Sequence, residues 1–312
     1  MSARATIIVV SYNTRELLRQ CLAALRARAP DYPVVVVDNA SSDGSAEMVE
    51  HEFPGVRLLR NQHNAGFGAA NNRALRDVDT ELTMLLNGDT LLDCDVIAAL
   101  ARTLDRHPQA AAVGCRLVSL DGSTQASVRC FPSATHSLKR ALGIRDPLPQ
   151  QLAPVDSVDG AAVLLRTEAF RAVGGFDERF FLYAEDVDLC RRLSRHGWQV
   201  LYDPSVSLLH VGGGSSETGS AEDDRRRWEA VALYAVIHFG GIEYAAFVVT
   251  RALEVLKLLA IKAVRSALLV DPQARRSCRT AWRNLRWHAA YLRPRRLLAK
   301  VRPAMDGNVR RR

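Results

Sequence analysis

The chain has 312 residues, of which 48% are apolar and 24% charged, so it can form a sizeable core and is neither disordered nor fibrous. Its formal charge of +8 is unevenly placed: residues 271–312 carry 13 Lys and Arg against two Asp, whereas residues 1–270 are slightly acidic. A nucleic-acid-binding protein would carry its basic charge on the folded body, so this distribution argues against nucleic acid as a partner.

The six cysteines are scattered along the chain and form no C-x-x-C pair. This spacing argues against a zinc or iron–sulfur site, and a chain of this length needs no disulfide framework. The N-terminus shows no cleavable signal pattern. The sequence therefore predicts a cytoplasmic protein with reduced thiols.

In the first half of the chain, short apolar runs alternate with helical patterns. Strands are predicted at residues 6–10, 34–37, 56–60 and 82–86. This alternation predicts an α/β fold built on a doubly wound parallel sheet. Such sheets bind ligands at the carboxyl ends of their strands, and a polar turn follows each predicted strand there.

The second half begins with a loop-rich stretch at 119–157 and has a helical pattern at 187–196. Further strands are predicted at residues 110–118, 161–166, 199–202 and 205–210. A long apolar helical pattern then covers 225–269. We predict a catalytic domain at 1–224, with a nucleotide-binding half to about 118 and an acceptor half at 119–224. An apolar and amphipathic helical region at 225–270 and a basic tail at 271–312 complete the chain.

Carboxylates at three places suggest chemistry. Asp38 and Asp89 each follow an apolar strand, where a carboxylate can cap a turn or helix or, at Asp89, bind a hard cation. Glu185, Asp186 and Asp188 place three carboxylates within four residues, which repel one another. A solvated helix N-terminus would explain this cluster, and so would a general base.

Six segments in order resemble the inverting family 2 glycosyltransferases with a GT-A fold, particularly the rhamnosyltransferase-like branch. The resemblance covers residues 5 to about 245. The segments are Ile8-Val-Val-Ser-Tyr-Asn13, Val36-Val-Asp-Asn-Ala-Ser-Ser-Asp-Gly44, Asn64-Ala-Gly-Phe-Gly-Ala-Ala-Asn71, Leu85-Leu-Asn-Gly-Asp-Thr90, Gly174-Gly-Phe-Asp-Glu-Arg-Phe-Phe-Leu-Tyr-Ala-Glu-Asp-Val-Asp-Leu189 and His210-Val-Gly-Gly-Gly-Ser-Ser216.

The resemblance implies a nucleotide-binding set at the strand ends. Its members are Ser11, Tyr12, Asn13, Asp38, Asn64, Gly66 and Asn87. Asp38 would read the base and ribose, and the glycines of residues 64–71 would let the backbone approach the nucleotide.

The resemblance also implies a divalent metal, Mg²⁺ or Mn²⁺. Asp89 matches the metal-binding aspartate of the family's D-x-D motif, but Asn87 stands at the first position, so one anionic ligand is missing. His210 would join the metal or diphosphate shell; otherwise it is a satisfied histidine at a strand end. Asp186 aligns with the catalytic base, Glu185 would orient or tune it, and Asp188 would be structural.

The implied reaction moves L-rhamnose from dTDP-rhamnose to a cell-surface polysaccharide or lipid-linked glycan. A galactofuranosyl or N-acetylhexosaminyl transferase using a UDP-sugar is the alternative, and a noncatalytic nucleotide- or glycan-binding relative is a third interpretation. A nicotinamide-dependent oxidoreductase would want G-x-G-x-x-G after the first strand, and a nucleotide-sugar pyrophosphorylase a Gly-rich basic loop. The sequence shows neither.

The C-terminal third predicts peripheral association with the anionic inner face of the plasma membrane. Residues 230–250 are as long as a membrane span, but His238, Gly240-Gly241 and Glu243 interrupt them. Residues 253–265 are amphipathic, and the tail adds basic charge and interfacial aromatics. Alternatively, residues 225–269 pack as core helices against the catalytic domain or a second subunit of a homo-oligomer.

Overall fold

A computed structural model describes residues 3–144, 146–212 and 221–268. The strands are β1 Ala5–Ser11, β2 Val34–Asp38, β3 Arg57–Arg60, β4 Leu82–Asn87, β5 Thr90–Leu91, β6 Ala110–Val118, β7 Val128–Arg129, β8 Ala153–Val155, β9 Ser157–Val158, β10 Ala162–Arg166 and β11 Gln199–His210. The helices are α1 Arg15–Arg28, α2 Ser45–Glu52, α3 Phe67–Leu75, α4 Val96–Arg106, α5 Ala134–Ala141, α6 Thr167–Ala172, α7 Glu185–Arg195, α8 Ala221–His238 and α9 Gly241–Leu268. The tail at 271–312 lies outside the described residues.

Within the described part of the chain, nine strands form one sheet. Eight of them run in the order β3-β2-β1-β4-β10-β6-β11-β5, and β8 pairs with β11. The pairs among β1 to β4 are parallel, as predicted, whereas β10 is antiparallel to both of its neighbours. The sheet is therefore mixed: β10 departs from the predicted parallel order, and so do the short strands β5 and β8, which are antiparallel to β11.

Helices cover this sheet because their apolar positions recur on one face. On α4, Val96, Ile97, Leu100 and Leu104 are fully buried, and the Asp95 side chain caps the helix by accepting from the Ala98 amide at 2.9 Å. The N-cap of α1 is Thr14, but its hydroxyl lies 3.0 Å from Ser11 Oγ and makes no capping hydrogen bond.

One strand replaces two predicted ones near the end of the sheet. The segments predicted at 199–202 and 205–210 form the single strand β11, which pairs with β6 and shifts register between Asp203 and Ser207. Pro204 lies within this irregularity, where the loss of an amide donor disturbs the ladder least. The continuous strand carries His210 to the edge at which the parallel strands end.

The described chain divides into two compact units. The catalytic unit contains residues 3–130 and 148–212 and holds the whole sheet. The helical unit contains α5, α8 and α9, so residues 131–147 group with the C-terminal helices rather than with the acceptor half in which the sequence placed them.

In the helical unit, the long apolar stretch is broken. The chain leaves helix at Phe239 and Gly240, between α8 and α9. Buried Phe247 packs against the ring of Phe239, with centroids 5.2 Å apart. Among the described residues, no helix is long and apolar enough to cross a membrane.

Candidate active site

The sheet register brings the predicted site residues to one edge. Ser11 pairs with Asp38 and Val10 pairs with Asn87, so β1, β2 and β4 end together. The antiparallel strand β10 begins at this edge, since Ala162 pairs with Leu86. His210 pairs with Thr90 in the short strand β5.

The turn after β2 is held by side chains and leaves one acceptor open. Asp38 Oδ2 accepts from the Ser41 amide at 3.0 Å, whereas its buried Oδ1 has no hydrogen-bond partner among the described residues. Asn13 Oδ1 accepts from the Ser42 amide at 2.8 Å and ties the β1 loop to this turn. A buried, unpaired carboxylate oxygen is costly, so Asp38 Oδ1 is suited to a ligand donor. Tyr12 is partly exposed beside this turn.

The segment after β3 packs against the loop that precedes α7. Asn64 Oδ1 accepts from the Gly66 amide at 3.0 Å, and Phe67 donates its amide to the Phe181 carbonyl at 3.1 Å. Gly66 has a φ of +86°, and a Cβ there would lie 2.3 Å from the Phe181 carbonyl oxygen. The close approach that requires this glycine is therefore to protein backbone.

Asp89, His210 and Asn87 form the second cluster. His210 Nε2 lies 3.3 Å from Asp89 Oδ1 and 3.3 Å from Asn87 Nδ2. His210 Nδ1 lies 2.7 Å from Gln125 Oε1, and Gln125 Nε2 donates to the His210 carbonyl at 2.7 Å. Sequence reasoning missed Gln125, which contacts His210 at ring Nδ1 and at the backbone carbonyl.

This cluster fits a divalent cation by the chemistry of its donors. A buried carboxylate, an imidazole nitrogen and an amide oxygen are ligands that Mn²⁺ and Mg²⁺ accept. If Nδ1 carries the proton toward Gln125, the lone pair of Nε2 faces Asp89. Burial lowers the pKa of His210, but the hydrogen bond and charge of Asp89 outweigh it, so the pKa rises above its usual value. The charge of Asp89 therefore favours a positive charge at this position.

The third cluster starts at α7. Asp186 Oδ1 accepts from the Val187 amide at 2.8 Å and Oδ2 from the Gly160 amide at 3.2 Å. Burial and the charge of Asp159 raise the pKa of Asp186 to about 6. Burial and Asp186 raise the pKa of Glu185 well above its usual value, and its Oε2 has no partner among the described residues. Burial therefore favours the neutral form of Glu185.

Sequence reasoning missed two further residues of this cluster. Arg129 lies in the loop-rich stretch, and Asp159 lies just after it. Asp159 Oδ2 pairs with Arg129 Nη2 at 3.1 Å, and Asp159 Oδ1 accepts from the Ala161 amide at 3.1 Å. Ala161 in turn accepts from the Asn87 amide at 2.9 Å. The carboxylate cluster and the His210 cluster are therefore joined through neighbouring backbone.

Asp188, predicted to be structural, has a fully buried side chain and pairs with Arg192 Nη2 at 2.8 Å. Arg192 also donates to the carbonyls of Val173 and Gly175. These contacts fix α7 against the segment before it. They do not point Asp188 toward the strand ends.

Backbone strain collects at the turn after β2, at the neighbouring β1 loop and at the start of α7. Among the described residues, four that are not glycine have a positive φ: Asn13, Ala40, Tyr183 and Ala184. Each lies in the β1 loop, in the turn after β2 or immediately before α7. Such strain costs free energy and persists where the surroundings fix it, which is typical of functional sites.

Comparisons with known proteins agree with this fold. Residues 3–230 match the model of glycosyltransferase like family 2. The chain therefore belongs to glycosyltransferase family 2, which confirms the predicted family and the α/β GT-A fold.

Two bacterial rhamnosyltransferases are similar in sequence to this chain. The N-acetylglucosaminyl-diphospho-decaprenol L-rhamnosyltransferase of Mycobacterium tuberculosis is 34% identical over an alignment of 230 residues, which covers 65% of this chain and 75% of that protein. The rhamnosyltransferase WbbL of Escherichia coli is 28% identical over an alignment of 218 residues, which covers 65% of this chain and 82% of WbbL.

Among solved structures, the mannosyltransferase PcManGT from Pyrobaculum calidifontis, in complex with GDP-Man and Mn²⁺, has a TM-score of 0.59 at 19% identity and covers 93% of this chain and 86% of its own. TarS 1–349 of S. aureus in complex with UDP has a TM-score of 0.53 at 15% identity, covering 86% and 73%. At these identities the likeness shows the fold alone.

Proposed function

We propose that this protein is a metal-dependent, inverting glycosyltransferase that transfers L-rhamnose from dTDP-rhamnose to a lipid-linked glycan. The observation that carries the proposal is the shared sheet edge, where Asp38 ends β2 and Asn87 ends β4. Asp186 is linked to this edge, because it accepts from the Gly160 amide and the adjacent Ala161 carbonyl accepts from the Asn87 amide. The rhamnosyl donor and lipid-linked acceptor are supported by the names of the bacterial relatives.

Each cluster has a task in this reaction. Asp38 Oδ1 accepts a hydrogen bond from the nucleoside, in the turn that Ser11, Asn13 and Ser41 hold. Asp89 and His210, with Asn87 beside them, hold the divalent cation. When bound, this cation neutralises the negative charge that grows on the departing diphosphate.

Asp186 is the base. The acceptor hydroxyl oxygen attacks the anomeric carbon, its proton passes to Asp186, and the bond from that carbon to the diphosphate oxygen breaks. One displacement inverts the anomeric configuration, so no second, nucleophilic carboxylate is needed. Burial and the charge of Asp186 raise the pKa of Glu185, which favours its neutral form and so weakens its repulsion of the approaching diphosphate.

A donor panel tests this function. Thermal melting with dTDP-, UDP- and GDP-sugars, each with and without Mn²⁺ or Mg²⁺, should show the largest stabilisation with dTDP-rhamnose and metal. A larger shift with a UDP-sugar would favour the galactofuranosyl or N-acetylhexosaminyl alternative. Stabilisation by nucleotides without any transfer to acceptor would favour a noncatalytic binding protein.

We also propose that the helical unit binds an anionic membrane surface, where a lipid-linked acceptor lies. Of the ten exposed large apolar side chains among the described residues, seven belong to this unit: Leu138, Leu142, Ile144, Ile242, Val249, Leu253 and Leu256. Exposed Lys257 reaches the Ala141 carbonyl at the end of α5, which places a basic group beside this apolar surface. The basic sequence of residues 271–312 complements an anionic leaflet.

A further inference from the structure

Arg129 of the loop-rich stretch forms an ion pair with Asp159, which lies just after that stretch. This pair lies near the proposed base, Asp186. Arg129 lies in β7 and Asp159 follows β9, and these two strands pair antiparallel, with Arg129 opposite Ser157. The Asp159 amide also donates to the Ser127 carbonyl at 2.9 Å. The short ladder thus fixes both ends of the 3.1 Å ion pair between Arg129 Nη2 and Asp159 Oδ2.

The other oxygen of Asp159 acts on the backbone that faces the base. Its Oδ1 accepts from the Ala161 amide at 3.1 Å and closes a turn around Gly160. This turn directs the Gly160 amide toward Asp186 Oδ2, 3.2 Å away. A hydrogen bond to the charged form of a carboxylate stabilises that form.

The charges near Asp186 act in opposite directions. Besides its neighbour Glu185, the charged groups that face it are Asp159, which raises the pKa of Asp186, and Arg129, which lowers it. Cys190 also lies in its field, but burial raises the pKa of that thiol to about 12, so it stays neutral. The Arg129 side chain is 47% exposed, and solvent therefore weakens its effect.

We propose that Asp159 and Arg129 form a positioning pair, which holds the Gly160 amide against Asp186 and balances the charge at this carboxylate. The proposal rests on the proposed function, because it assumes that Asp186 is the base. Asp159 repels the charged form of Asp186 and Arg129 attracts it. Removing the Asp159 charge should therefore make Asp186 lose its proton more easily, and removing the Arg129 charge should make it lose its proton less easily. A purely structural pair would lower activity in both variants without this opposition.

The test is the pH dependence of kcat/KM for dTDP release from dTDP-rhamnose. Asp159→Asn keeps the oxygen that accepts from Ala161 and removes the charge, so the acid limb should move down by about half a pH unit or more. Arg129→Gln should move it up. The matched control is Asp121→Asn, since exposed Asp121 closes a similar turn by accepting from the Ser123 amide at 2.9 Å and should leave the limb in place.

A second measurement needs no activity. In urea unfolding at pH 8, Asp159→Asn and Asp186→Asn remove the same repulsion, so the double variant should be less stabilised than the sum of the single variants. The inference is overturned if the limbs of Asp159→Asn and Arg129→Gln stay in place or move together, or if the stabilities add. If Asp186→Asn keeps full turnover, the proposed function itself fails, and the two failures are thereby distinguished.

Discussion

Asp186 is the second residue of α7, where burial and the charge of Asp159 disfavour its ionised form. Its pKa is raised from 3.8 to about 6, so the folded protein binds a proton more tightly than the unfolded chain does. Stability therefore falls as pH rises from about 4 to about 6, when Asp186 ionises in its partly buried site. This cost accompanies a base that is charged near neutral pH.

Asp186→Asn should consequently stabilise the protein by about 1–2 kcal/mol at pH 8, with no gain at pH 3.5, where the native side chain is already protonated. Chemical unfolding at the two pH values measures this. Asp188→Asn is the matched control on the same helix: it deprives Arg192 of its buried partner and should destabilise at pH 8. Equal stability of Asp186→Asn and the native protein at both pH values would refute the raised pKa.

A separate prediction concerns the contribution of Asp38 to nucleotide affinity. Asp38→Asn retains an oxygen for the Ser41 amide but loses the charged Oδ1, so affinity for dTDP should fall about tenfold, the loss of one charge-assisted hydrogen bond. Isothermal titration measures the affinity, and an unchanged melting temperature shows that the turn survives. Undiminished affinity would remove Asp38 from the nucleotide site.

The site residues that could be predicted from the sequence are those next to regular elements. Asp38, Asp89 and Asp186 each adjoin a strand or helix whose apolar pattern is visible, so their common edge follows from the fold. Gln125, Arg129 and Asp159 lie where no periodicity exists. Gln125 meets His210 across 85 positions of sequence, and only the tertiary structure determines such a contact.

At the scale of elements, the contact between the segment after β3 and the loop before α7 fixes the start of α7. The sequence predicted both segments and attributed the glycines of residues 64–71 to the nucleotide. It could not show that Gly66 faces Phe181, because that contact joins segments more than a hundred residues apart. Similarly, the antiparallel course of β10 was not predicted, since a buried apolar strand has no pattern that indicates its direction.

Gly66→Ala should therefore destabilise the protein by about 3 kcal/mol or more, from the positive φ and the clash with Phe181 together. Gly174 is the matched control: its φ is +83° but nothing lies within 4 Å of a Cβ there, so Gly174→Ala should cost only about 1 kcal/mol. Urea unfolding measures both variants. If the two variants lose similar amounts of stability, the loop before α7 moves to accommodate the new methyl group, and this contact does not fix the helix.

For the whole molecule, exposed apolar surface is concentrated in one of the two units. The catalytic unit contains the sheet and the proposed site, whereas the helical unit carries most of the exposed large apolar side chains among the described residues. The break between α8 and α9 follows the predicted interruption at Gly240-Gly241, which divides a stretch long enough for a span into two helices.

Flotation with phosphatidylglycerol vesicles tests the membrane proposal. The native protein should float at low salt and lose binding at high salt, because the attraction is partly electrostatic. Leu253→Glu with Leu256→Glu should abolish flotation. The control is Leu120→Glu, at a leucine that is 70% exposed in the catalytic unit, and it should float normally. Equal binding to neutral vesicles, or a stable dimer that the double variant disrupts, would contradict the proposal.

The measurement that tests the central claim most directly is the turnover of dTDP-rhamnose by Asp186→Asn, with dTDP affinity measured on the same preparation. Asparagine keeps the size of the side chain and one oxygen for its two backbone N–H donors, but it cannot accept the acceptor's proton. Turnover should fall by about 10² or more while dTDP affinity is unchanged. Normal turnover in this variant would contradict the account, because the base would then lie elsewhere.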